Sequence, residues 1–246
     1  MPNSLARKLE LYVRLSEADR MWLADPLTSG RQIAARTDII HEGDDPRSVN
    51  VILEGWACRY RQLPDGRRQI VAFLLPGDPC DPHVFLVKRM DHTIGAITPV
   101  RLGQIPGATL QAITARSPTL DMAFHREALA TAAVQREWTV SLGSRTGIER
   151  LAHLFCELHV RLTAVGLADG NTCPMPITQS DLGDAMGQTS VHINRTLQEM
   201  RSMGLITLRS RRLTIHDPEV LARLGQFDPT YLHLTVDDDR RVPDRP

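Results

Sequence analysis

The sequence predicts an α+β chain of 246 residues in three parts: a β-roll of jelly-roll type, a long helix, and a C-terminal winged helix-turn-helix. Three observations predict it. Turn-forming glycines recur at 43, 55, 66 and 77, intervals of 12, 11 and 11 residues, as in an all-β sandwich or roll. Residues 119–140 then run without glycine or proline, enough for one long helix of about six turns, roughly 33 Å. Finally, Ile177–Met200 reads as two short helices about a glycine, and two short apolar strands follow it.

Residues 1–28 read as helical. Ser16 to Asp19 can start a helix whose apolar side is Met21, Trp22 and Leu23, and Pro26 should end it. The roll is placed at 29–107. Trp56, Cys58 and Tyr60 alternate with Ala57, Arg59 and Arg61, the period-two pattern of a half-buried strand. Pro64-Asp65-Gly66 is a turn signal, and the continuous apolar run Ile70–Leu75 suits a strand covered on both faces. Residues 108–142 return to helix. The apolar positions of the long helix, from Leu120 through Leu129 to Val140, spread over two faces, one for the roll and one for a second copy of the chain. Gly143 to Gly147 should break it and serve as a hinge.

The last domain is placed at 148–225. Glu149–Leu162 is a helix with Leu151, Leu154 and Phe155 near one face, and Gly166–Pro176 reads as a linker. Thr178 followed by Asp181 has the spacing of a capping box, and Gly187 can end the first helix in the left-handed region. Thr189 or Ser190 can cap the second. There Ile193, Leu197 and Met200 face the core, while Val191, Asn194, Arg195 and Gln198 form the outward stripe. A helix presenting such groups after a glycine turn has the form of a DNA recognition helix. Leu205–Leu208 and Leu213–Ile215 form the wing, with Arg209, Arg211 and Arg212 about its turn. Residues 226–246 are read as a tail, its Asp237–Arg241 charge run solvated.

Composition bounds the function. Hydrophobic residues make up 42% and charged residues 24%, as in ordinary globular proteins. The net charge is zero, so any attraction to nucleic acid must be local. From Gln188 to His216 five arginines (195, 201, 209, 211, 212) face one acid, Glu199. The four cysteines, 58, 80, 156 and 173, have no zinc-site spacing. No signal peptide and no membrane-spanning run is seen, which points to a cytoplasmic protein with reduced thiols and no membrane partner.

The order of these parts resembles the Crp/Fnr family of bacterial transcription regulators, typified by the catabolite activator protein and the fumarate-nitrate reduction regulator. The resemblance runs from about Leu23 to Leu221. In the roll it rests on Ile39 to Asp44, Ile52 to Gly55 and Leu74 to Asp78, and at the other end on Ile177 to Gly183 and Thr189 to Leu197. It implies a cyclic-nucleotide-binding-like roll, a dimerisation helix, double-stranded DNA as partner, and RNA polymerase as a second partner. Arg195 stands where the family keeps a guanine-reading arginine, whose fork fits O6 and N7. Val191 departs from the glutamate of the two typical members and offers an apolar contact for a thymine methyl. Asn194 and Ser190 complete the base-reading candidates, and Thr178, Gln179, Thr189, Arg209, Arg211 and Arg212 are phosphate candidates.

The sensor is expected to differ from the cyclic AMP-binding members. Those carry a Gly-Glu pair after the Pro-Gly-Asp-like turn and an Arg-Ser pair beyond it. Here Pro79, Cys80, Asp81, Pro82 and His83 follow Asp78, and His92-Thr93 takes the Arg-Ser place. Proline donates no amide to a phosphate. No cofactor is therefore expected. Haem has the Cys80/His83 spacing as its one pointer, and an iron–sulfur cluster lacks N-terminal cysteines. Cys173, in the linker, is expected to be the exposed, redox-active thiol. The reading is a homodimeric regulator on a pseudo-palindromic site, its roll sensing an unknown signal or none. Its alternatives are a cyclic-nucleotide module controlling another domain and a β-roll metal enzyme using lone histidines such as His41, His83, His92 and His125.

Overall fold

The computed structural model describes residues 4–234. Two helices, α1 (Ser4–Leu9) and α2 (Glu17–Ala24), open the chain. Ser16 caps α2 with a full capping box from Asp19, and the helix stops at Ala24, before Pro26, which sits in a short 3₁₀ turn.

The roll has two sheets. Strands β1 (Arg31–Ile33), β3 (Ser48–Glu54) and β7 (Val100–Pro106) lie in the order β1-β7-β3. Strands β2 (Asp38–Ile40), β4 (Ala57–Gln62), β5 (Arg68–Leu74) and β6 (Thr93–Ala96) lie in the order β2-β6-β4-β5. Between the sheets Ile52, Ala57, Leu74, Ile94, Val100 and Leu102 form a closed apolar core. β4 and β5 make the expected hairpin about Pro64-Asp65-Gly66, pairing Ala57 with Leu74 and Gln62 with Arg68.

β4 is not half-buried along its length. Ala57, Cys58 and Arg59 are all covered. Ala57 faces the roll interior, whereas Trp56 and Cys58 join Ile70, Phe73 and Leu75 in a second core with the C-terminal domain. That domain packs on the outside of the hairpin, so a sheet face that would meet water in an isolated roll is dry. Each large apolar side chain buried there stabilises the packing by about 1.5–3 kcal/mol.

After β7, α3 (Gly107–Arg116) leads into α4 (Pro118–Ser144). Ser117 caps α4 through Leu120 N and donates to Asp19 Oδ1 at 2.6 Å, tying α4 to α2. At 27 residues the helix is about 40 Å long. Leu120, Ala123, Phe124, Ala130, Ala133 and Trp138 are buried, while Met122, Leu129 and Val140 remain 51%, 64% and 49% exposed. The expected break at Gly143 does not occur. The helix continues through Ser144, and only Arg145 and Thr146 separate it from α5 (Gly147–Ala164), which Thr146 and Glu149 start with a capping box.

The C-terminal domain contains α5, β8 (Thr172–Pro174), α6 (Gln179–Met186), α7 (Ser190–Ser202), the wing strands β9 (Ile206–Arg209) and β10 (Arg212–Ile215), and α8 (Pro218–Gly225). The expected linker at 166–176 holds a strand: β8 pairs with β10, giving the order β8-β10-β9. A three-residue strand carries too little periodicity to stand out in sequence; its pairing comes from β10. The expected tail also needs correction, because residues 229–232 form a 3₁₀ turn in which Tyr231 donates to Glu157 Oε2 at 3.0 Å and Leu232 is buried. The Asp237–Arg241 charge run lies outside the described residues.

Candidate nucleic-acid interface and the sensor cavity

The helix pair is held by local chemistry. Thr178 caps α6, accepting from Asp181 N, and Asp181 Oδ2 in return accepts from Thr178 N and Oγ1. Gly187, at φ +64°, ends α6 in the left-handed region that costs a glycine no Cβ clash. Thr189 caps α7 by accepting from His192 N at 3.2 Å. Ile193, Leu197 and Met200 point into the domain core. The opposite side of α7 is bare: Ser190, Val191, Arg195 and Gln198 are exposed, Val191 by 74%. Asn194 is half-buried and donates from Nδ2 to Gln179 Oε1 at 3.1 Å, so these two residues brace α7 against α6 at the edge of that face.

In the wing, Arg209 lies directly opposite Arg212, and Arg211 sits in the turn beside Ser210, both at positive φ as a tight hairpin turn requires. All three arginines are exposed. Two cations directly opposite across a hairpin repel each other. An anionic backbone laid along the wing removes that repulsion.

Asp181 is fully buried because the roll covers it. Arg36 chelates both of its oxygens at 2.7 and 2.9 Å, and Arg68 reaches Oδ1 at 2.8 Å while binding Asp184 at 2.7 Å. Burial alone would raise the Asp181 carboxyl, but the hydrogen bonds from Arg36 and Thr178 hold it well below the usual carboxylate range.

On the sensor side the free space is small. Between the roll and α4 lies a cavity of about 40 Å³, bordered by Lys8, Tyr12, Arg59, Asp78, Glu127 and Arg161. That volume holds a few waters at most, against roughly 300 Å³ or more for a ligand pocket. Asp78 of the Pro-Gly-Asp turn is buried between Lys8 from α1, at 3.1 Å, and Arg161 from α5, at 2.8 Å. Lys8 also pairs with Glu127 at 3.5 Å, and Arg161 with Glu157 at 3.1 Å. Burial opposes ionisation of Asp78, but Lys8 and Arg161 prevail and keep its carboxyl low. The chain thus fills the space between the roll and helices α1, α4 and α5 with its own charges.

The candidate effector residues form a neighbouring cluster. Asp81 accepts from Arg59 at 2.9 Å and lies 3.1 Å from His92 Nε2, while Thr93 Oγ1 accepts from Glu42 N. Cys80 is buried in the roll core, which raises its thiol, whereas the His83 ring lies against Phe85 and His125. A buried protonated thiol is a poor haem ligand. Among the described residues, no group of three or more His, Cys, Asp or Glu could hold a metal ion. The expectation for Cys173 is overturned: it is fully buried on β8, opposite Leu213, and burial pushes its thiol up to about 11. All four cysteines are buried.

Lys8, Arg36, Arg68, Glu127, Arg150, Glu157 and Arg161 were not singled out from sequence. One signal was available. Lys8, Glu127 and Glu157 interrupt apolar helix faces, and a charge at such a position demands a partner. Which partner it finds is a tertiary matter.

Comparison with known proteins agrees with this architecture. Residues 30–117 match the cyclic nucleotide-binding domain family, and residues 149–224 the Crp-like helix-turn-helix domain family. The nitrogen fixation regulation protein FixK of Bradyrhizobium diazoefficiens is 31% identical over 181 residues, covering 73% of this chain and 75% of that one. The transcriptional activator protein FnrL of Cereibacter sphaeroides is 26% identical over 192 residues, 75% of each chain. The solved structure of FixK2 from Bradyrhizobium japonicum superposes with a TM-score of 0.69 at 21% identity, covering 80% of this chain and 96% of that one, which speaks for the fold. These relatives are regulators, and the enzyme alternative gives way to them. No helix of the described residues is long and apolar enough to cross a membrane. With the roll, the long helix and the bare recognition helix in one order, and FixK aligned over three quarters of its length, the chain belongs to the Crp/Fnr family of DNA-binding transcription regulators.

Proposed function

We propose that this regulator acts in the cytoplasm as a homodimer on a pseudo-palindromic operator, with RNA polymerase as a further partner. The observation that carries the reading is the outer face of α7, where Arg195 stands exposed beside Val191 and Gln198 while the opposite face is fully packed. Arg195 reads a guanine, Val191 packs on a thymine methyl, and Ser190 and Asn194 adjust the contact. Thr178, Gln179, Thr189, Arg209, Arg211 and Arg212 meet phosphates. Met122, Leu129 and Val140 on α4 supply the dimer contact, which spaces the half-sites about one DNA turn apart. Functionally the chain divides into N-terminal helices 1–28, roll 29–107, dimer segment 108–142, joint 143–147, DNA-binding domain 148–225 and tail 226–246.

In this reading the roll acts without a cyclic nucleotide, supported by Pro79 and Pro82 after the Gly77-Asp78 turn and by the pairing of Asp78 with Lys8 and Arg161. In vitro selection of DNA sites with the purified full chain, at several salt concentrations, tests the proposal. The expected result is a two-fold symmetric site whose affinity falls steeply with salt and is unaltered by cyclic AMP. Recovery of no symmetric site, or salt-independent binding, overturns it.

A further inference from the structure

The joint between α4 and the helix-turn-helix is organised by one side chain. Arg150 lies one turn into α5, and its guanidinium donates only to main-chain carbonyls. Nη1 donates to Met186 O at 2.5 Å, and Nη2 to Leu142 O at 3.2 Å and Arg145 O at 3.0 Å. Met186 is the last residue of α6, Leu142 is in the last turn of α4, and Arg145 is the α4 C-cap. These are carbonyls that a helix leaves without an internal partner, at the end where its dipole is negative. One planar cation therefore satisfies the exposed ends of two helices at once. Planarity fixes their relative angle, which a flexible ammonium would not do.

The surroundings leave little slack. A Cβ on Gly147 would lie 2.8 Å from Gln188 Nε2 and 3.1 Å from His192 Nε2, so the first turn of α5 abuts the turn and first helical turn of the recognition unit. Arg145 is anchored back to Glu137 of α4 at 2.6 Å. The two residues outside helix at this joint are thus held from both sides.

We propose that Arg150 is a positioning residue that sets the spacing of the two half-sites, by locking the carbonyl end of the dimer helix α4 to that of α6. The inference rests on the homodimer reading above. In a two-fold assembly built on α4, the α4–α6 angle fixes the separation and rotation of the two recognition helices. One added base pair turns one half-site by about 35° relative to the other. A rigid joint rejects that change, and a loose one tolerates it.

The test uses the full chain and operators derived from the selected site. Spacers are lengthened or shortened by one base pair, and a second series changes one base in a half-site. Wild type is expected to lose on the order of ten-fold affinity when the spacer changes. Arg150→Gln is expected to reduce that loss to about three-fold or less while keeping the half-site base preference. Arg150→Lys keeps the charge at the helix ends without the planar fork, so it should behave as Arg150→Gln does; it decides the matter should the glutamine variant fail to fold. Either folded variant with the wild-type spacer profile overturns the proposal. So does a variant that loses base preference as much as spacer preference, since that is the mark of a merely structural role. If wild type itself ignores spacing, the homodimer reading fails, and this is visible before any variant is made.

Discussion

The outer face of α7 and the charged layer between the roll and helices α1, α4 and α5 both carry an arginine and differ in what that arginine touches. Arg195 stands in solvent, whereas Arg161 is buried with Asp78 at 2.8 Å and Glu157 at 3.1 Å. A charge taken out of water must be paired within the fold, and once paired it is not available to a ligand. A charge left in water costs the fold nothing and remains free for an external anion. The contrast separates charges that hold the fold together from charges left in solvent.

Acid should break the contrast most strongly, because it attacks two buried clusters at once. Asp78 and Asp181 are both held below their ordinary value of 3.8. The stability they contribute is complete above that pH and is lost as pH falls from there toward their lowered folded values. His153, kept neutral by burial and by nearby Arg145, starts the loss earlier, as pH drops through its ordinary 6.5. Glu127, in the same cluster as Asp78, works the other way, because burial raises its carboxyl and its protonation as pH falls favours the fold. Thermal unfolding followed from pH 7 to pH 3 should therefore show a melting temperature whose steepest fall lies below about pH 4. A melting temperature unchanged below about pH 4 would mean that neither cluster matters to stability.

The single substitution with the largest expected effect is Asp78→Ala. It leaves Lys8 and Arg161 buried without their shared anion and should cost about 3–5 kcal/mol in urea unfolding. Arg195→Ala should leave that unfolding curve within about 0.5 kcal/mol of wild type. Its cost appears in DNA binding instead, as about 1–3 kcal/mol of lost discrimination between the selected site and one altered at its guanine. Equal selectivity before and after would remove Arg195 from the base-reading set. Smaller still, Thr189→Ala removes the cap of α7 and should destabilise the domain by about 1 kcal/mol by the same unfolding measurement.

Much of the helix-turn-helix was legible because its signals are local. A capping box, a left-handed glycine and an apolar stripe at i, i+4, i+7 all act within a few residues, and Thr178, Asp181, Gly187, Thr189, Ile193, Leu197 and Met200 play the parts expected of them. The hairpin about Gly66 was legible for the same reason. The misreadings share an opposite cause. Cys173 lies in a stretch that reads as a linker, but β8 exists only through its pairing with β10. β4 was taken for half-buried because its second cover comes from a domain about a hundred residues later in the chain. Gly143 reads as a helix break, but it sits in the last turn of α4, where a single glycine costs only about 1 kcal/mol.

By itself the sequence determined the element types, their order and the face of α7 that meets solvent, because each follows from periodicity and capping within one segment. Only the tertiary structure decided which charges were paired inside the fold and which stayed in solvent. Asp181 became an anchor through Arg36, 145 residues away, and Asp78 is paired with Lys8 and Arg161. Pairing of that kind depends on distance through space, and no spacing along the chain encodes it.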